Sequence, residues 1–114
     1  MSQTTLIQEH NDRFKAGDEE ILGSIFITAN LASHLAEIGQ TDGTALCKFV
    51  AEYSDFTPDN DPYQQHDFGS FTWHGEKCFW KIDLFDPSMT AYPTDPTDLT
   101  QTRRVLTIML ASDY

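Results

Sequence analysis

Between Asp67 and Phe85, apolar and polar side chains alternate on both sides of the dipeptide His74-Gly75, the pattern of a β-hairpin closed by a two-residue turn. Gly75 supplies the positive φ that such a turn demands. The turn pairs Trp73 with Glu76, Phe71 with Cys78 and Gly69 with Trp80. Alternation then places Phe71, Trp73, Cys78, Trp80, Ile82 and Leu84 on one face, and Ser70, Thr72, Lys77, Lys81 and Asp83 on the other. A slip of one residue would exchange the two faces, so the sorting fixes the register. Phe68, Phe79 and Phe85 fall on the polar side, which calls for a helix or a partner covering part of that face.

Elsewhere the period is helical. Thr4 or Thr5 can cap a first helix running to about Lys15, with Leu6, Ile7, His10 and Phe14 on one side and Gly17 as the stop. Residues 21–28 are rich in β-branched and aromatic side chains and read as a strand. Leu31, Leu35 and Ile38 mark a second helix that ends at Gly39, and Asp42 is placed to cap a third with the apolar stripe Leu46, Phe49, Val50 and Tyr53. Residues 54–62 and 86–96 are loops by their Pro, Asp, Asn and Thr content. Asp95-Pro96 reads as an N-cap followed by proline at the first helical position, with Asp98 complementing the helix dipole. The closing run from Arg103 to Leu110 then reads as a helix, though its length and β-branching leave a buried strand open. The expected fold is α+β: a small antiparallel sheet of strand 21–28 plus the hairpin 67–73/76–85, packed by about four helices.

A chain of 114 residues is expected to form a single domain, 1–114, and its aromatic and branched side chains suffice for a buried core. No apolar run approaches the roughly 20 residues that span a bilayer. The start, Met1-Ser2-Gln3-Thr4-Thr5, has no basic segment followed by an apolar one, so a cytoplasmic location is expected. In that setting Cys47 and Cys78 read as reduced, buried thiols.

Charge changes the picture most. Seven Lys and Arg stand against 18 Asp and Glu, a formal net charge of −11. The acids lie in long base-free stretches, among them Phe49 to Glu76 with Glu52, Asp55, Asp59, Asp61, Asp67 and Glu76. Nucleic-acid binding draws its affinity from positive charge against phosphate, so direct binding of DNA or RNA is not expected. Imitation of nucleic acid is a different matter. A domain of this size is about 30 Å across, and that length of duplex carries about 18 phosphates. A net −11 is comparable if the acids gather on one face. Spread evenly, they serve solubility and discourage self-association.

The loop with Asp55, Asp59, Asp61, His66 and Asp67 is the candidate for a hard cation, but its spacing is not that of a calcium hand. Counting from Asp59, Gln64 and Ser70 occupy the places of the glycine and the closing glutamate. His10, His34, His66 and His74 have no spacing that converges on zinc. Turn formation by Asp and Asn explains the composition of the loop. His66 and Asp67, adjacent at a strand start, point to opposite faces and do not pair with each other. No nucleophile elbow, Walker loop or dinucleotide fingerprint is present. No catalytic, metal or cofactor residue is therefore expected. The aromatic run from Phe68 to Phe85 reads as core, with any ring left exposed serving as an anchor for a protein partner.

Asn11-Asp12-Arg13-Phe14, Asp55-Phe56-Thr57-Pro58-Asp59-Asn60-Asp61-Pro62, His66-Asp67-Phe68-Gly69, Phe79-Trp80-Lys81-Ile82-Asp83 and Arg104-Val105-Leu106-Thr107-Ile108-Met109-Leu110-Ala111 resemble a bacterial family of small proteins of unknown function associated with plasmids and mobile elements. Gln65 stands where that family's Glu-His-Asp-Phe-Gly run would have Glu. The resemblance implies an accessory protein that interferes with host defence, in the manner of anti-CRISPR or anti-restriction proteins that offer carboxylates in place of phosphates.

Together these readings give a non-catalytic, acidic protein-binding module whose partner is a protein complex with a basic nucleic-acid-binding surface. The expected contact residues are Glu52, Asp55, Asp59, Asp61, Asp67, Glu76 and Asp86. The alternatives are a metal-dependent hydrolase or nuclease using the 55–67 loop and His66, and an accessory structural protein of mobile elements.

Overall fold

The computed structural model describes residues 2–114. Helix α1, Gln3–Lys15, begins two or three residues earlier than a Thr4 or Thr5 cap would place it, because the hydroxyl of Ser2 accepts the Thr5 N–H at 3.1 Å. It ends before Gly17, whose φ of 94° no side-chain-bearing residue adopts readily. Strand β1 is Gly23–Ile27, and α2, Ala29–Glu37, follows at once from a Thr28 cap. In α3, Thr44–Ala51, the N-cap is Gly43 rather than Asp42; the Asp42 carboxylate still accepts the Thr44 N–H, at 3.1 Å.

Strands β2, Phe68–Trp73, and β3, Glu76–Phe85, form the expected hairpin with Trp73 opposite Glu76, Phe71 opposite Cys78 and Gly69 opposite Trp80. His74 and Gly75 both have positive φ, 47° and 88°, the signature of a type I′ turn. Gly69 is required by packing: a Cβ there would fall within the indole of Trp80.

The second half of the chain departs from expectation. Arg103–Leu110 is a strand, β4, and the helices number three among the described residues. Asp95 does not cap a helix; its carboxylate accepts the backbone N–H of Thr97 at 3.0 Å in a local turn, and Asp98 repeats the bond on Thr100 at 2.9 Å before a single 3-10 turn at Leu99–Gln101. A short acidic side chain makes the same bond in a turn as in a cap, so the sequence signal is shared. The strand wins because Arg104, Leu106 and Ile108 alternate onto the covered face and the β-branched Val105 and Thr107 lie between them.

The sheet is consequently mixed rather than antiparallel. Its order is β1-β4-β3-β2, with β4 antiparallel to β3 and parallel to β1. All three helices contribute to a core on one face, where Phe14, Leu31, Leu35, Leu46 and Val50 meet Phe71, Trp80, Ile82, Leu106 and Ile108. The second face is covered in part by the chain's own end: Tyr114 packs against Phe68 and Phe79, with ring centroids 6.0 and 5.6 Å away. A 3-10 turn, Ala111–Asp113, brings it there, anchored by bonds from Thr28 and Asn30 to the Asp113 carboxylate, each 2.7 Å. Among the described residues no helix is long and apolar enough to cross a membrane.

Candidate functional site

Two of the seven bases have left the surface. Lys15 is 5% exposed; its ammonium donates to the carbonyl oxygens of Val50, Ala51 and Tyr53 at 3.0, 3.3 and 2.6 Å, closing the C-terminus of α3. It lies 5.2 Å from the centre of the Trp80 ring, and burial lowers its pKa. Arg104 is fully buried, with Nε donating to Asn11 Oδ1 at 2.7 Å and burial pushing the guanidinium down to about 10. Of the eighteen acids only Asp61 is buried, so the surface carries five bases against seventeen acids.

The seven expected contact residues fall into separate regions. Glu52 and Asp55 converge on a groove of about 470 Å³ between the end of α3 and the edge strand β2. Phe49 and Phe71 wall it, their centroids 5.0 Å apart, and Phe49 remains 39% exposed. Tyr53 closes the floor, its hydroxyl donating to the Ser70 carbonyl at 3.3 Å. Asp59 lies exposed on the loop before β2, and Glu76 follows the hairpin turn. Asp86 begins the turn after β3, where its Oδ1 accepts from Thr90 N–H at 3.0 Å and Ser88 hydroxyl at 2.8 Å; the Thr90 bond first, then Ser88, holds it below the usual carboxylate range. Glu76 and Asp86 stand ten residues apart along β3, about 33 Å at strand rise. Asp67 is half-buried, and burial, then Asp61 and Asp83, raises its carboxyl.

Asp61 serves the fold. Its Oδ1 accepts the His66 N–H at 3.2 Å, and its other oxygen lies 3.5 Å from His66 Nε2. The opposite ring nitrogen, Nδ1, sits 2.9 and 3.0 Å from the two oxygens of Asp12 on α1. The imidazole stacks on Phe56, 3.8 Å between centroids and 3° from parallel. His66 is thus held by carboxylates at both nitrogens, neither of them from Asp67. Gln8 and Asn11 add bonds to the carbonyls of Gln64 and Gln65 at 2.7 and 2.9 Å, so residues 61–66 are strapped to α1. The strap is tight enough to hold Gln64 and His66 at φ of 57° and 53°. Beside it lies a cleft of about 480 Å³ lined by Asp12, Lys15, Glu52 and Phe56. Among the described residues no three His, Cys, Asp or Glu side chains are placed to hold a metal ion.

Both cysteines are free, and burial pushes both thiols up, away from thiolate chemistry. Sequence reasoning missed three participants: Lys15 and Arg104, whose burial it did not anticipate, and Phe49, read as part of the apolar stripe of the third helix. For Arg104 the signal lies in its period of two with Leu106 and Ile108, visible only once the segment is taken as a strand.

No curated protein and no solved structure matches the chain. The strapped loop, the hairpin, β4 and the groove residues Phe49, Glu52 and Asp55 all lie within residues 31–113, which match the family described as Protein of unknown function (DUF3768), and the chain belongs to that family.

Proposed function

We propose that this protein is a non-catalytic, acidic protein-binding module that docks on the basic nucleic-acid-binding surface of a protein complex, as an anti-CRISPR or anti-restriction inhibitor standing in for a duplex. On this reading it is a cytoplasmic product of a bacterial plasmid or other mobile element, touching neither nucleic acid nor membrane. The observation that carries the proposal is the inward turn of Lys15 and Arg104, which leaves the outside more acidic than the composition implies. Glu52, Asp55, Asp59 and Glu76 are exposed and, among the described residues, form no ion pair with Lys or Arg. Their charge stays available to a partner. The distance of about 33 Å from Glu76 to Asp86 is close to one turn of duplex, about 34 Å, and the molecule is elongated, 42 × 31 × 23 Å.

Affinity capture from the native host tests this. The tagged protein should retain a nucleic-acid-handling complex at low salt, release it at high salt, and lose it to added duplex DNA, because both compete for one basic surface. A partner that stays bound at high salt, or that binds duplex and this protein together, would overturn the proposal.

A further inference from the structure

We infer that the groove between α3 and β2 receives an arginine side chain of the partner protein. The inference rests on the reading above and narrows it to one contact point. Among the regions where the acids lie, this one joins unpaired carboxylates to exposed aromatic surface. In the cleft beside His66, Asp12 is engaged with the imidazole and Lys15 with three carbonyls, which leaves Glu52, shared with the groove, as its unpaired carboxylate among the described residues. In the groove, Glu52 and Asp55 form no ion pair among the described residues, and Lys48, one turn before Glu52 on α3, forms none with it.

The walls are fixed in place. Phe49 is tilted against both Phe71 and Trp73, at 5.0 and 5.4 Å, and Tyr53 is tied to β2 through Ser70. Such rings present a rigid face at little entropic cost on binding. A guanidinium stacks on an aromatic face while its N–H fork reaches a carboxylate in two parallel bonds; an ammonium has neither the plane nor the fork. Rings flanked by two free carboxylates therefore favour arginine over lysine. The approach is open because β2 is an edge strand. The Ile82 N–H bonds to the Asp67 carbonyl, so alternation along the ladder turns the main-chain groups of Ser70 and Thr72 away from β3. Tyr53 takes the Ser70 carbonyl, and Thr72 is left to meet an incoming extended segment.

The test titrates the intact protein with the capped peptide Gly-Gly-Arg-Gly-Gly and with its lysine counterpart, reading the ring signals of Phe49 and Tyr53 by NMR. The arginine peptide should shift those rings, and the lysine peptide should bind at least about threefold more weakly. The double variant E52Q/D55N should lower arginine-peptide affinity roughly five- to tenfold. Phe49→Leu, which keeps the groove filled, should weaken it without unfolding the protein. No ring shift, equal binding of both peptides, or unchanged affinity in E52Q/D55N would each overturn the inference. The two readings fail separately. A host complex captured in a salt-dependent way by E52Q/D55N as well as by the unaltered protein removes the groove and leaves the acidic module standing; salt-independent capture removes the module itself.

Discussion

The ammonium of Lys15 lies 2.6 Å from the carbonyl oxygen of Tyr53, so the last residue of α1 caps the end of α3. This contact spans 38 positions of sequence and shares its cation with the aromatic face of Trp80. Replacement by methionine keeps the stem and removes three donors. Lys15→Met should destabilise the fold by about 1–3 kcal/mol, since desolvation of the ammonium offsets part of what the bonds contribute and water from the adjoining cleft recovers some of the carbonyls. Urea unfolding measures it. A variant as stable as the parent would mean the cap contributes nothing net.

Trp80 is fully buried, and its indole occupies the space above Gly69 on the neighbouring strand. Alanine at 69 forces the indole or the β2 backbone to move. Gly69→Ala should cost about 1–3 kcal/mol and shift the tryptophan fluorescence. Gly75→Ala, in a turn with φ of 88°, should cost about 1 kcal/mol and leave the fluorescence alone.

Asp67 carries a pH signature. Burial, followed by the charges of Asp61 and Asp83, raises its pKa above the ordinary 3.8, so the folded state binds the proton more tightly than the unfolded one. Its contribution is greatest below pH 3.8 and is lost as pH rises through the folded-state value. Asp67→Asn imitates the protonated form. It should raise Tm at pH 7, with the advantage disappearing below about pH 3.8. Equal Tm values at pH 7 would show that Asp67 is not destabilised by its surroundings.

The hairpin's turn and register were legible in the sequence, and only the start of its first strand differs, at Phe68 rather than Asp67, because alternation and the His74-Gly75 turn are local and point the same way. The helices were legible as stripes. Tyr114 answers the question raised by Phe68 and Phe79 on the polar face, but the closing turn that carries it there left no periodic mark. At Arg103–Leu110 a helical reading competed with a strand: β4 lies between β1 and β3, and an interior strand reads as a continuous apolar run that periodicity alone does not assign. The pairing of β1 with β4 joins residues about 80 positions apart and has no local trace. Of the acids, Glu52 and Asp55 meet at the groove, whereas Asp61 belongs to the fold and Glu76 and Asp86 lie at opposite ends of β3. Sequence reveals how many carboxylates there are, and only tertiary structure sorts those that brace a loop from those that face outward.

The acidic surface is tested most directly by the salt dependence of affinity for the captured partner, in the parent and in the double variant D59K/E76K. Both residues are exposed and brace no part of the fold, unlike Asp61. The logarithm of affinity should fall linearly with the logarithm of salt concentration for the parent, and D59K/E76K should bind more weakly with a shallower slope. A flat dependence, or a variant that binds as the parent does, would contradict docking by charge.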